Sequence, residues 1–73
     1  MSIARKAYEK TPVGTTGSMQ AGSTSLADLE PFQEVVRQFE DIEAEGLIEI
    51  TTKHPETQSG KRLIDLVMFK RLA

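Results

Sequence analysis

The apolar positions of this chain change their spacing at Gly46. Between Pro31 and Glu45, Phe32, Val35, Val36, Phe39 and Ile42 recur every three or four residues. That is one stripe along an α-helix. Pro31 suits a first helical turn, where a missing N–H loses no partner. Gly46 stands where a left-handed residue ends a helix. Beyond it the period falls to two. Leu47–Thr52 predicts a strand with Ile48 and Ile50 on one face and Leu47, Glu49 and Thr51 on the other. Lys53–Lys61, KHPETQSGK, is a polar connection holding the turn formers Pro55 and Gly60. Arg62–Lys70 predicts a second strand, with Ile64, Leu66 and Met68 on one face and Leu63, Asp65, Val67 and Phe69 on the other. The expected fold is α+β: a main helix packed on a two-stranded antiparallel hairpin.

The pattern is weaker upstream. Ser25-Leu26-Ala27-Asp28 has capping-box spacing, so a short turn is expected at 26–29. It breaks at Glu30, because Pro31 disfavours the α region for the residue before it. Residues 11–25, TPVGTTGSMQAGSTS, carry no charge and little apolar surface. They read as a flexible linker. Gly14-Thr15-Thr16-Gly17 spells GxxG, but no basic residue lies between the glycines, so it is not read as a backbone clamp. Residues 1–10 form a basic arm or a short helix, too short to be stable alone. The organisation is thus arm 1–10, linker 11–25 and helix–hairpin core 26–73.

Seventy-three residues allow one small domain with a small core. The second strand is apolar on both faces apart from Asp65, so its second face needs a cover. The N-terminal segment, a second copy or another protein could supply it. A homodimer or partner interface through Leu63, Val67 and Phe69 is expected. There is no cysteine, hence neither disulfide nor thiolate metal site. No apolar run reaches membrane-spanning length, and no apolar segment follows Arg5 and Lys6 to make a signal peptide. A cytoplasmic protein with no membrane partner is expected.

Charge is unevenly placed. Residues 1–25 carry Arg5, Lys6 and Lys10 against Glu9. Residues 26–52 carry eight acids against Arg37. Residues 53–73 carry five bases against Glu56 and Asp65. Such asymmetry bears on partners more than on fold.

Helix, Glu-Gly-Leu-Ile, strand, polar loop, strand resembles the C-terminal half of a winged-helix domain over about forty residues. Val35-Val36-Arg37-Gln38-Phe39 looks like the middle of its recognition helix. Ile42-Glu43-Ala44-Glu45-Gly46-Leu47-Ile48 looks like its helix exit. The resemblance implies that residues 53–61 are a wing and that DNA is a partner. Arg5, Lys6, Lys53, Lys61 and Arg62 would then meet phosphates, with His54, Gln58 and Ser59 as hydrogen-bonding groups in the wing. Gln33 and Arg37 would read base edges. Yet the stretch from Glu30 to Glu45 holds five Glu and one Asp against Arg37, which opposes entry into a groove lined by phosphates. The alternative is a protein-interaction module of the same fold, its acidic helix face docking on a basic partner.

No catalytic constellation appears. His54 is the sole histidine, so no zinc site can be completed. The glutamates of the helix spread around a solvated face. Neither an enzyme, a cofactor, a bound metal nor a small-molecule substrate is expected.

Overall fold

A computed structural model of the chain describes residues 3–23, 25–57 and 60–73. The elements follow in the order α1 (Ile3–Lys10), β1 (Thr16–Gln20), α2 (Leu26–Ala44), β2 (Ile48–Pro55) and β3 (Ile64–Arg71). The fold is α+β. The sheet has three antiparallel strands in the order β1-β3-β2. The strand latest in sequence is therefore central, and both edges hydrogen-bond to it.

The helix–hairpin part matches the periodicity in outline; β2 runs on through Lys53, His54 and Pro55 of the expected polar connection, and the helix differs in two respects. First, α2 runs unbroken through Glu30 and Pro31. The cost is one intrahelical bond, the N–H that Pro31 cannot give to Ala27. Against it stands Leu29, which is fully buried; continuing the helix keeps Leu29 in line with Phe32 and Val36. Second, Ser25 occupies the N-cap position, but its side chain makes no capping bond. Asp28 instead accepts the hydroxyl of Ser23 at 2.6 Å.

The C-terminus of α2 closes as its glycine suggests. Gly46 has φ +81°. Its N–H donates to the Glu43 carbonyl at 2.9 Å, and the Leu47 N–H to the Ile42 carbonyl at 3.3 Å, the paired bonds of a Schellman motif. Acids in this last turn oppose the helix dipole. Tertiary partners offset them: Glu43 accepts the Ile50 N–H at 2.8 Å, and Glu45 meets Arg5 at 2.9 Å.

Residues 11–25 are not a free linker. Thr16–Gln20 pairs with β3 over its whole length. The strand lacks apolar alternation because only Met19 lends it a large apolar side chain, so it was illegible by period. At Gly17 even a methyl group is excluded: a Cβ there would lie 2.7 Å from the Phe69 ring and 2.5 Å from the Thr11 hydroxyl.

Two bulges reset the faces of the hairpin. The register slips between Ile50 and Thr52, and again at Asp65 between the partners of His54 and Pro55. An extra residue shifts every later side chain to the other face. Ile64 thereby packs against the same core as Val67 and Phe69, and Lys53 turns toward α2. That core joins Tyr8, Phe32, Val36, Phe39, Ile42, Ile48, Val67 and Phe69. Phe39 and Phe69 stack with ring centroids 5.0 Å apart.

The interface expected at Val67 and Phe69 is corrected by this packing. Both are fully buried within the chain, and α2 and the N-terminal elements cover them. Leu63 is half-buried. The outer face of β3 carries Leu66 and Met68 between Ser18, Gln20, Thr52 and His54 of the neighbouring strands.

The N-terminal helix is held by residues from the far end of the chain. The Arg71 guanidinium lies 4.3 Å from the Tyr8 ring centroid. Its Nη1 donates to the carbonyls of Tyr8 and Thr11 at 3.2 and 3.0 Å. A cation thus occupies the C-terminal end of α1, where unpaired carbonyls gather. The Tyr8 hydroxyl donates to the Ala73 backbone oxygen at 2.6 Å.

Two outcomes follow from these contacts. Gly17→Ala is expected to cost about 1–3 kcal/mol through overpacking against Phe69, read as a lower urea midpoint at unchanged slope. Arg71→Met keeps the stem and removes the donors, so amide exchange should quicken across Ile3–Lys10 and stay slow in α2. Arg71→Lys should not restore protection, because an ammonium cannot reproduce the planar fork.

Candidate interaction surface

The eight residues singled out for nucleic acid fall on three parts of the fold. Arg5 and Lys6 lie on α1, Gln33 and Arg37 on α2, and Lys53, His54, Lys61 and Arg62 along the hairpin. Most have work inside the chain. The Gln33 side chain donates to the Ile64 and Leu29 carbonyls at 2.7 and 2.9 Å, and its Oε1 accepts the Ile64 N–H at 3.1 Å. This carboxamide mimics a strand neighbour at the start of β3 and ties α2 to the sheet. Its geometry is that of a structural clamp, and base reading would require those bonds to break.

The positive side chains beside α2 are met by its acids. Lys53 reaches Glu40 at 3.0 Å, Arg37 lies 3.5 Å from Glu34, and Arg5 meets Glu45. These pairs are solvent-exposed, so each contributes little stability. Their effect is on the surface: cations that would face phosphate are already beside carboxylates. His54 Nδ1 lies 2.7 Å from Asp65 Oδ1, so the bulged Asp65 holds the imidazole at the outer face of the hairpin.

Lys61 and Arg62 are both exposed, following Gly60 at φ +77°, and Arg62 itself has φ +53°. These two left-handed residues, one on each side of Lys61, turn the chain sharply and present two cations together. Gln58 and Ser59 of the expected wing lie outside the described residues. At the neck of the loop Glu56 is buried. Its N–H donates to the Leu63 carbonyl at 2.8 Å, while its carboxylate accepts the Leu63 N–H at 3.3 Å. Glu56 was not singled out in the sequence, where a Glu within KHPETQSGK reads as solvated.

The exposed side of α2 is acidic along its length. Glu30, Glu34, Glu40, Asp41 and Glu43 are all exposed, with Arg37 the one base on this helix. Among the described residues no group of three or more acids and histidines could hold a metal ion. No helix among them is long and apolar enough to cross a membrane.

Comparison with known proteins gives no match: no family model fits the chain, and no curated protein and no solved structure is similar to it.

Gln33→Leu is expected to lower stability by about 1–3 kcal/mol, because it leaves the Ile64 backbone groups unpaired near the core. The check is a thermal or urea unfolding curve beside that of Arg37→Leu, which should stay within about 0.5 kcal/mol as a surface change.

Proposed function

We propose that this chain is a small, non-enzymatic regulatory protein of the winged-helix type, acting in the cytoplasm by docking on another macromolecule. The order helix, strand, helix, strand, loop, strand and the sheet order β1-β3-β2 support that type, together with the resemblance over residues 31–70. The partner this surface fits best is a basic protein segment, received on the exposed face of α2. One observation carries this: the cations nearest that face, Arg5, Arg37 and Lys53, are already paired with its carboxylates. The face therefore presents surplus negative charge that attracts a basic surface and repels phosphate.

Lys61 and Arg62 favour a second reading. Two adjacent exposed cations at the tip of a hairpin suit contact with a nucleic-acid backbone. In that reading DNA meets the wing and leaves α2 outside the groove.

An amide NMR titration at low and high salt separates the two. The probes are a basic amphipathic helical peptide and a mixed-sequence DNA duplex. Shifts at Glu30, Glu34, Arg37 and Asp41 with the peptide are expected, and Glu34→Gln with Asp41→Asn should weaken them. Shifts at Lys61 and Arg62 with the duplex, reversed steeply by salt, would instead install the DNA reading. Silence with both probes would end the docking proposal for these surfaces.

A further inference from the structure

The two edges of the sheet are finished differently. β2 carries Lys53, a bulge at Thr51 and Pro55, and its Ile50 N–H is taken by Glu43. Those are the usual devices that stop an edge from pairing with another chain. β1, Thr-Gly-Ser-Met-Gln, has no charge, no proline and a regular register with β3. Its ladder also fixes which backbone groups point outward. Arg71 donates to Thr15, and Ala21 donates to Asp65. Positions 15, 17, 19 and 21 therefore face β3, and Thr16, Ser18 and Gln20 turn their N–H and C=O groups to the open side.

A groove of about 460 Å³ runs beside this edge, between β1 and α1. Ile3, Ala7 and Met19 give it an apolar floor, and Lys6 and Lys10 stand on its wall. It meets a second hollow of about 330 Å³ at Ile3 and Met19, which continues to Pro31 and Phe32 of α2. Ile3 is 53% exposed there. No carboxylate lines the first groove. Lys6 and Lys10 make no ion pair among the described residues, unlike Arg5, Arg37 and Lys53.

We propose that this edge and groove receive an extended acidic peptide segment of a partner protein, added to the sheet as a fourth strand beside β1. The open groups of Thr16, Ser18 and Gln20 supply the ladder, as in other strand additions. Apolar side chains on one face of the peptide fill the floor at Ile3, Ala7 and Met19. Carboxylates on the same face meet Lys6 and Lys10. A second copy of this chain fits less well, because its own β1 brings no acid and its α1 brings two more lysines. Nucleic acid would satisfy the lysines but would leave the strand groups and apolar floor without complements. This surface is separate from the acidic face of α2 and does not depend on the function proposed for it.

The test uses the full chain and a synthetic seven-residue peptide, Val-Thr-Glu-Thr-Val-Thr-Glu, which puts its valines and glutamates on one face of a strand, followed by amide NMR and hydrogen exchange. The expected result is shifts along Thr16–Gln20 and α1, with slowed exchange at Ser18 and Gln20. Lys6→Glu with Lys10→Glu should weaken binding roughly five- to tenfold, as two exposed ion pairs are lost. Ser18→Pro removes an outward N–H that β3 does not use, so it should abolish binding while the other amide signals persist. If that variant does not fold, the lysine variants and the exchange pattern still decide. The proposal is overturned by equal affinity for a valine–lysine peptide, or by shifts that avoid β1. Slowed exchange at Ser18 that depends on protein concentration without peptide would assign the edge to a second copy instead. Stronger shifts at the same residues with a DNA duplex would assign it to nucleic acid.

Discussion

Phe69 must be covered on the central strand, and most of the chain is arranged to cover it. Its ring lies against Phe39 of α2 on one side and under the bare backbone of Gly17 on the other. Burying an aromatic side chain of this size contributes about 1.5–3 kcal/mol relative to exposure, a large share of what so small a core can supply. The glycine follows from that ring: only a residue without a side chain lets β1 lie at ladder distance. Met19 and Val67 pack one step further along the same register.

Where this constraint coincides with regular spacing, the sequence displays it. The stripe from Phe32 to Ile42 and the stop at Gly46 correspond to the main part of α2 and its Schellman closure. The hairpin too is visible in outline, although the alternation in β3 places Ile64 and Val67 on opposite faces. The bulge at Asp65 brings them together, and no local propensity announces a bulge. β1 is hidden for a different reason. Its strand character comes from the partner it pairs with, and Thr-Gly-Ser-Met-Gln has the composition of coil. Pro31 shows a third kind of override, in which burial of Leu29 outweighs a local preference of the residue before proline.

The candidate site was legible in its charge and not in its geometry. The acidic helix and the basic loop can be read directly, and both are exposed as that reading requires. What the sequence cannot display is pairing. Glu40 with Lys53 and Glu45 with Arg5 join residues thirteen and forty positions apart. Gln33, polar and on a helix, looks available for recognition. In the fold it is a hydrogen-bonding splint between α2 and Ile64. A surface inferred from residue types alone thus overstates the cations that remain for a partner.

The placement of β3 also sets an order of events. During synthesis the chain emerges from its N-terminus, and both other strands must wait for residues 64–71 before either has a neighbour. Helix α1 waits as well, since its carbonyls are capped by Arg71, with contacts spanning 60 and 63 positions. Contacts this distant in sequence carry a high loop-closure cost and slow folding. Only α2, whose turns are local, has the means to form early. The nascent chain therefore exposes its apolar stripe, Phe32 to Ile42, until the last strand arrives, and folding is completed as one late, cooperative step.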